Sequence, residues 1–472
     1  MGQNLLAYVA RPGVILKYLG HLGMALGVIV VVPMIASIFF GEWNFFLYYL
    51  VISAASLILG YRFSKITTAN TIQHNEVIIV ISLSFFGGSV IAALPLMADG
   101  FSFANALFEA ISGITTTGLT MVTRWDNLSA TTYFTRAWLQ WTGGLGILIF
   151  SLALLPRHAI IVKMPESLQS DNEDPIGGSR HHAQIILYVY CFFTILGIVG
   201  MLLMGSRLYD AVLLVLASVS TGGFSPYPES IATISRMQQI GLLGLAFFCA
   251  ISLPFYYKLW NHRVLLTQQS IQAIGMVIFC SLVSLALGWT IDSWIVGVSA
   301  QTTTGFSSID ISPLADSKKL ILSISMLIGG GVGSTAGGFK ILRLLLFFIA
   351  LRTLIMRINQ TSHAVYTPKF LGIPFSDKQF EQAATLISLY FFVAGASWLC
   401  FVGMGYPAVD SLFEVASAIG TVGLSTGITS PDLPVVLKGV LSVDMLLGRL
   451  EIFPWLVVLY PGTWFGQYLE EK

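Results

Sequence analysis

Charged side chains are scarce in this chain. Asp, Glu, Lys and Arg make up 10% of its 472 residues, whereas about 25% is usual for a soluble domain. Hydrophobic residues supply 55%, and the formal net charge is only +1, so no basic surface for nucleic acid is indicated. These proportions exclude an ordinary soluble protein and indicate that most of the chain is surrounded by lipid.

Cysteine is also rare. The four cysteines are Cys191, Cys249, Cys280 and Cys400. Each lies singly in an apolar run without a C-x-x-C pair, so neither a disulfide framework nor a zinc site is indicated. We expect all four to be buried packing residues.

Histidines are few and scattered, which argues against an enzyme. Two of the seven, His181 and His182, end the polar tract 170–182. Adjacent residues of a helix point in different directions, so we interpret this tract as a polar cytoplasmic linker rather than a metal site. No phosphate-binding loop of the G-x-x-x-x-G-K-[ST] kind is present, and nucleotide control therefore requires a partner.

Apolar runs recur along the whole length. They cover residues 18–40, 45–61, 77–97, 137–155, 185–204, 240–259, 271–289, 320–352, 384–404 and 435–460. Crossing a bilayer takes about 20 residues, so the sequence predicts an all-α integral membrane protein with ten spans. The first run lacks a small-residue cleavage site and is soon followed by a second, so we interpret it as a retained helix.

The distribution of Lys and Arg predicts the orientation. If the N-terminus is cytoplasmic, one side collects most of these residues, including the cluster at 340–378. By the positive-inside rule, both termini then lie in the cytoplasm. Carboxylates collect on the other side, at Asp99, Asp126, Asp210, Glu229, Asp292, Asp310, Asp316, Asp410 and Asp432. They could form an acidic mouth that concentrates cations, or simply be solvated loop residues.

Four short segments are nearly alike. They read ISGITTTGLT (111–120), SVSTGGFS (218–225), SAQTTTGFSS (299–308) and SAIGTVGLST (417–426). Each follows a short amphipathic stretch, at 103–114, 208–219, 292–302 and 408–419. These stretches are too short to span, since about 20 residues are needed, so each must enter the membrane and stop.

This repeat divides the chain into a two-helix extension and four units. The extension covers 1–75, and the units cover 76–181, 182–266, 267–379 and 380–472. Non-helical backbone survives at membrane depth only where it is buried in protein or lines a water-filled cavity. We therefore expect the four loops to surround one pseudo-fourfold pore, with the partially negative half-helix ends directed at a cation.

The loop chemistry suits a dehydrated potassium ion. Stacked backbone carbonyls can replace its hydration shell, and Gly118, Gly222, Gly305 and Gly423 permit the unusual dihedrals that this requires. Loop hydroxyls could add oxygens or brace the backbone; they belong to Thr115, Thr116, Thr117, Ser220, Thr221, Thr302, Thr303, Thr304 and Thr421. Val422 has no side-chain oxygen, so only its backbone carbonyl could supply an ion ligand at that position.

These motifs resemble the Trk/Ktr/HKT superfamily of potassium transporters, most closely its bacterial TrkH branch, over essentially the whole chain. The resemblance implies a potassium filter at Thr116, Thr117, Gly118, Ser220, Thr221, Gly222, Thr303, Thr304, Gly305, Thr421, Val422 and Gly423. Glycine rather than serine at Gly118 implies potassium rather than sodium. The resemblance also implies a homodimer in a bacterial inner membrane, with a cytosolic ring of nucleotide-binding regulatory subunits docked on basic inner loops.

A glycine-rich segment interrupts the run at 320–352. GGGVGSTAGG (329–338) has six glycines in ten residues, each costing about 1 kcal/mol in a helix relative to alanine, so this inner helix must be broken. A gate, a close-packing surface between helices and a passive kink all fit this composition. The resemblance favours an intramembrane gating loop comprising Gly329, Gly330, Gly331, Gly333, Ser334, Thr335, Gly337 and Gly338, assisted by Lys340.

Three charged residues lie inside the half-helices or the last apolar run. Arg449 falls mid-span, where an arginine costs roughly 2.5–3.5 kcal/mol on insertion scales. We expect it to reach the carbonyls of the gating loop, the alternative being a local ion pair with Asp444 or Glu451. Glu109 and Glu414 occupy matching half-helix positions, and we expect them to accept hydrogen bonds from filter backbone.

The sequence thus predicts a gated potassium uptake protein rather than an enzyme, with potassium as the transported ion and no covalently bound cofactor. Proton- or sodium-coupled symport by alternating access is the alternative. That mechanism favours inverted repeats, whereas the four units share one orientation.

Overall fold

The computed structural model is almost entirely helical, which confirms the predicted fold class. It describes residues 9–68, 72–122, 125, 128–154, 175–262, 268–358, 369–370, 373–374 and 377–465. Within these ranges there are nineteen α-helices and one short antiparallel pair of strands, β1 (Lys369–Phe370) and β2 (Ile373–Pro374). An all-helical chain satisfies its backbone hydrogen bonds internally, as lipid requires.

Three helices form the N-terminal extension: α1 (Pro12–Ile29), α2 (Val31–Phe39) and α3 (Trp43–Ser64). The predicted first span is divided at Val30, because Pro33 has no N–H to donate to the carbonyl four residues earlier. The extension is attached to the next unit by Glu42. Its carboxylate accepts hydrogen bonds from the amides of Ala130 and Thr131 at 2.9 and 3.0 Å.

Four units follow, each with an outer helix, a half-helix and an inner helix. Unit 1 contains α4 (His74–Leu96), α5 (Phe103–Ile114) and α6 (Ala130–Leu154), and unit 2 contains α7 (Pro175–Leu203), α8 (Leu208–Val219), α9 (Arg236–Cys249) and α10 (Leu253–His262). Unit 3 contains α11 (Gln268–Leu287), α12 (Ile291–Gln301), α13 (Asp316–Ile328) and α14 (Ile341–Ile358). Unit 4 contains α15 (Asp377–Gly403), α16 (Ala408–Ile419), α17 (Val435–Arg449), α18 (Phe453–Leu459) and α19 (Pro461–Trp464). The half-helices α5, α8 and α16 have their predicted bounds, and α12 is displaced by one residue.

The inner helices are broken in units 2, 3 and 4 but continuous in unit 1. The predicted break is present at 329–340, and further breaks occur at 250–252 and 450–452. The prediction of single helical spans over 240–259 and 435–460 is therefore wrong. The sequence signal was Pro254 and Pro454, each second in the helix after its break, where a missing N–H costs little.

Six helices in the described part of the chain are long and apolar enough, by length and composition, to cross a membrane. They are Pro12–Phe39, Trp43–Ser64, His74–Asp99, Ala183–Leu203, Ser270–Leu287 and Lys378–Gly403. Of the other four predicted spans, α6 is a continuous 25-residue helix, and the remaining three are the divided inner helices. The half-helices are largely buried, whereas the extension exposes apolar side chains such as Val51.

The cysteine prediction is only partly correct. Cys249 and Cys280 are buried, but Cys191 is half-buried and Cys400 is exposed on α15. A helix that borders lipid can carry an apolar thiol outward at little cost, so an apolar run did not imply burial here.

Candidate ion filter and gating segment

The four half-helices end in the same backbone geometry. A threonine in the left-handed region follows each helix cap: Thr116, Thr221, Thr303 and Thr421, with φ of 54°, 52°, 54° and 50°. The next amide then returns to the carbonyl five residues earlier, as in Thr117 N to Ser112 O at 2.9 Å and Val422 N to Ser417 O at 2.8 Å. This is a Schellman ending, which usually employs glycine. Threonine there costs of order 1–3 kcal/mol, and such strain clusters at functional sites.

The loops after these threonines form a closed ring. We define loops 1 to 4 as residues 115–118, 220–223, 302–305 and 420–423. A methyl group added to the last glycine of each loop would meet a carbonyl oxygen of the next: Gly118 to Gly222 at 2.2 Å, Gly223 to Thr304 at 2.0 Å, Gly305 to Val422 at 2.0 Å and Gly423 to Thr117 at 2.2 Å. No side chain fits at those distances, so glycine is required at all four positions. Loop 4 returns to loop 1, which places the loops around one axis.

The predicted register of loop 2 is wrong by one residue. Gly223, with φ of 76°, is equivalent to Gly118, Gly305 and Gly423, whereas Gly222 corresponds to Thr117. Ser220 is the helix cap, and its hydroxyl donates to the Leu216 carbonyl at 2.8 Å. The signal was in the sequence, because each ring glycine directly precedes Leu or Phe.

Some loop hydroxyls form hydrogen bonds within their own loop, and others have no partner. Thr115 and Thr117 share a hydrogen bond of 2.8 Å, and Thr302 and Thr304 share one of 2.7 Å. Thr221 donates to the Ser220 carbonyl at 2.7 Å. Within the described residues, the buried hydroxyls of Thr116 and Thr421 have no partner. Because a buried polar atom without a partner is costly, two oxygens at the ring are available to a ligand.

Two buried carboxylates support loops 1 and 4. Glu109 accepts a hydrogen bond from the Met121 amide at 2.8 Å, and Glu414 accepts one from the Thr426 amide at 2.7 Å. Both amides lie three residues after a ring glycine, so these carboxylates bond the backbone that follows loops 1 and 4 rather than the filter backbone that we expected. Their partners otherwise differ. Arg136 Nε contacts Glu109 at 2.7 Å, whereas Glu414 also accepts from the hydroxyls of Ser425, Thr426 and Thr429.

Glutamine and arginine side chains on α6 support loop 2, and the sequence reasoning missed them. Gln140 Nε2 donates to the Gly222 carbonyl at 2.6 Å, and its Oε1 accepts from the Phe224 amide at 3.1 Å. The Arg136 guanidinium lies 4.1 Å from the centre of the Phe224 ring, a cation–π contact. The signal was a polar residue inside the apolar run of α6.

The glycine segment, residues 329–338, lies against the threonine end of the ring. The Gly337 amide donates to Thr303 Oγ1 at 2.7 Å. A methyl group on Gly337 would lie 2.1 Å from Thr421 Oγ1 and 2.2 Å from the Gly420 carbonyl oxygen. The segment therefore touches loops 3 and 4 directly, with no room for a side chain between them.

The rest of the glycine segment is held by units 2 and 3. The Gly331 amide donates to the Ala250 carbonyl at 3.0 Å, and the Leu253 amide donates to the Gly333 carbonyl at 3.0 Å. Thr335 Oγ1 donates to the Cys249 carbonyl at 3.1 Å. The break at 250–252 thus frees backbone groups that pair with the glycine segment. Buried Gln272 and Gln301, also missed from sequence, bond the Val332 amide at 2.9 Å and the Gly329 carbonyl at 2.6 Å.

Arg449 reaches the glycine segment, as expected. Its Nη1 donates to the Thr335 carbonyl at 2.8 Å. The alternative local ion pair is absent from the described residues, because Glu451 pairs with Arg343 and Asp444 accepts from the Ser397 hydroxyl at 2.8 Å. Lys340, with φ of 74°, donates through Nζ to the Ala336 carbonyl. Both cations therefore bond segment carbonyls.

Polar contacts join neighbouring units at the far ends of the half-helices. Lys319 Nζ lies 2.6 Å from an Asp410 carboxylate oxygen, and Lys438 Nζ donates to Asn105 Oδ1 at 2.7 Å. Arg236 pairs with Asp292, and this hydrogen bond lowers the pKa of the Asp292 carboxyl. Two carboxylates of the expected acidic mouth are thus neutralised by cations, and Asp126 lies outside the described residues.

No cluster of three or more His, Cys, Asp or Glu side chains suited to a metal occurs in the described residues. Residues 170–174 of the polar tract lie outside them, and from Pro175 onward the tract belongs to α7. The expected linker therefore includes the first turns of a helix.

Comparisons with known proteins agree with this architecture. A model of the family described as "TrkH: Cation transport protein" matches residues 34–270 and 284–461. The potassium uptake protein TrkI of Halomonas elongata is 30% identical over 486 residues, covering 95% of this chain and 96% of its own. An uncharacterized cation transporter of Methanocaldococcus jannaschii is 29% identical and covers 94% of each chain.

A solved structure shows the same fold. The potassium transporter TrkH from Vibrio parahaemolyticus superposes with a TM-score of 0.83 at 23% identity, covering 97% of this chain and 100% of its own. The family comprises transporters rather than enzymes. The ring of four loops, the four units and the match over most of the sequence lead to one conclusion: this chain belongs to the TrkH family of cation transport proteins.

Proposed function

We propose that this chain carries potassium across a bacterial inner membrane along the axis of the four loops. The observation that carries the proposal is the closed ring, in which the last glycine of each loop lies against a carbonyl oxygen of the next loop. Carbonyl rings replace the hydration shell of potassium. The relatives TrkI of H. elongata and TrkG of Escherichia coli, the latter 28% identical over 467 residues, are named potassium uptake proteins.

The ion ligands in this proposal are the twelve positions at the ring in their corrected register. Loop 1 contributes Thr116, Thr117 and Gly118, loop 2 contributes Thr221, Gly222 and Gly223, loop 3 contributes Thr303, Thr304 and Gly305, and loop 4 contributes Thr421, Val422 and Gly423. The unpartnered hydroxyls of Thr116 and Thr421 support ligand binding at the threonine end. Four helix C-termini nearby add negative potential.

The glycine segment acts as the gate. Gly337 leaves no space between itself and loops 3 and 4, so the segment must move before an ion can pass the threonine end. Arg449 bonds the Thr335 carbonyl from unit 4, and its positive charge opposes a cation at this point. The contacts favour this role over a passive kink, because a kink requires no bonds to the loops.

Regulation comes from outside the chain. The relatives are named as parts of Trk systems, which supports a cytosolic regulatory subunit that binds nucleotide and docks on the basic inner loops. We further propose a homodimer with both termini in the cytoplasm. The division at residues 75, 181, 266 and 379 separates the extension and the four transport units.

The test is ion flux through the purified chain in liposomes, with potassium against sodium and with or without an imposed proton gradient. Downhill potassium flux that is faster than sodium flux and indifferent to the gradient is the expected result. Flux that requires the gradient would support symport instead. Equal potassium and sodium flux would overturn the filter.

A further inference from the structure

The four threonines at the base of the ring share one backbone conformation but not one hydrogen-bonding state. Thr116 and Thr421 have unpartnered hydroxyls, and Thr221 donates to the Ser220 carbonyl. Thr303 differs, because its oxygen accepts the Gly337 amide at 2.7 Å. The glycine segment therefore occupies a lone pair of one threonine within a set that shares its backbone conformation.

An amide N–H and a cation compete for the same oxygen. The N–H brings a partial positive charge to Thr303 Oγ1, so a potassium ion at the threonine end would lose one ligand and face an N–H dipole. Conversely, an ion drawn to the unpartnered oxygens of Thr116 and Thr421 would raise the cost of keeping Gly337 in place.

The two ends of the glycine segment lie close together. Both of its ends are held against α13, with Phe339 N bonding Leu327 O at 2.9 Å and Lys340 N bonding Ile328 O at 2.9 Å. Gly337 lies at the base of this loop, packed against Gly329, so its bond to Thr303 holds the base of the segment against the ring.

We propose that Thr303 is both a ligand of the innermost cation position and the latch that holds the glycine segment closed. A cation at this position therefore opposes closure, and closure expels the cation. This inference rests on the proposed potassium filter and gate, and adds a positioning role for one hydroxyl together with coupling between ion occupancy and the gate.

The first test compares Thr303→Val with Thr116→Val in liposome flux. Valine keeps the size and β-branching of threonine but accepts no hydrogen bond. Thr303→Val loses a ligand and the latch together, so its basal potassium flux should exceed that of Thr116→Val about fivefold, the effect of losing one typical hydrogen bond from the closed state. Thr116→Val loses a ligand without losing a latch, so its flux should fall. Thr303→Ser restores the oxygen and should bring the leak back toward that of the parent.

The second test does not depend on flux. Ser334 lies in the glycine segment and is 6% exposed. The rate at which a maleimide labels Ser334→Cys, followed by mass spectrometry, should rise several-fold when potassium replaces N-methylglucamine. Adding Thr303→Val should give fast labelling in both solutions. Matched melting temperatures in detergent would show that each variant is folded.

The outcomes separate the latch from the gate. If Thr303→Val lowers flux as Thr116→Val does, Thr303 is a ligand only and the latch is wrong. If Arg449→Ala raises flux while the flux of Thr303→Val does not exceed that of Thr116→Val, the proposed gate is retained and the latch is wrong. Labelling that ignores potassium in the parent would overturn the ion coupling. A parent with no potassium flux would overturn the proposed function, whereas potassium-dependent labelling would still support the latch.

Discussion

The loop ring and the glycine segment differ in symmetry. Four loops with matching backbone angles form the ring, whereas the glycine segment, which belongs to unit 3, lies against its threonine end. An ion on the axis needs oxygens on all sides, so every unit must contribute an equivalent loop. A gate needs only one obstruction. Under the proposed function, repetition is required where ligands surround an ion, and the units can differ elsewhere.

Units 2 and 4 differ from unit 1 in the contacts that they make with the glycine segment. The break at 250–252 presents the Ala250 and Cys249 carbonyls, and the break at 450–452 follows Arg449, which bonds Thr335. Unit 1 has a continuous inner helix, and its Gln140 bonds loop 2 instead. The following predictions test this division between a fourfold ring and the proposed gate formed by the glycine segment of unit 3.

The largest effect is expected for Gly223→Ala compared with Gly222→Ala. At Gly223 the added methyl would lie 2.0 Å from the Thr304 carbonyl oxygen, whereas at Gly222 it would meet the Gln140 side chain at 2.4 Å. The ring backbone cannot move away from the added methyl group, whereas the Gln140 side chain can change its conformation. Gly223→Ala should abolish potassium flux in liposomes and Gly222→Ala should reduce it partially. A reversed order would restore the original register of loop 2.

Glu109→Gln should destabilise the protein more than Glu414→Gln. The first leaves buried Arg136 without its anionic partner, and breaking a buried pair typically costs about 3–5 kcal/mol. Glu414 is held by hydroxyls and an amide, so its change should cost about 1–3 kcal/mol. Thermal unfolding in detergent measures both. Equal losses would mean that the two supports are equivalent after all.

Arg449→Ala should raise basal potassium flux roughly tenfold or more, since hydrogen bonds from charged groups contribute about 1.5–3 kcal/mol. Removing this cation frees the Thr335 carbonyl and takes a positive charge from the proposed ion pathway. Arg449→Lys, which keeps the charge, serves as the matched control and should leak less than Arg449→Ala. A folded Arg449→Ala protein with unchanged or lower flux would count against the proposed barrier.

The smallest effect is expected at the contact between Arg236 and Asp292. Arg236 lowers the pKa of the Asp292 carboxyl, so the pair stabilises the fold above the ordinary carboxyl pKa of about 3.9 and loses that contribution as pH falls through the lowered value. Both side chains are partly exposed, so Asp292→Asn should cost less than about 1 kcal/mol. The melting-temperature difference from the parent should be present at neutral pH and disappear in strong acid. A difference that persists there would mean that charge pairing is not its cause.

Local patterns carried much of the prediction. The lengths of the apolar runs predicted the helical membrane class, and the bounds of α5, α8 and α16 followed from the repeated segments. The contact between Arg449 and the glycine segment was also anticipated, because a mid-span cation must find carbonyls. Two details visible in sequence were misjudged: the glycine of loop 2 that precedes Phe224, and the prolines that follow the breaks in units 2 and 4.

The sequence by itself determined that this chain lies in a membrane and repeats one unit four times, because helix length, hydropathy and the conformational needs of the loops are properties of neighbouring residues. Only the tertiary structure decided which groups meet: the order of contacts around the ring, the glutamines that hold Gly222 and Gly329, and the bond between Gly337 and Thr303. Those partners are far apart along the chain. Their pairing depends on how the helices pack and on the requirement that every buried polar group find a partner.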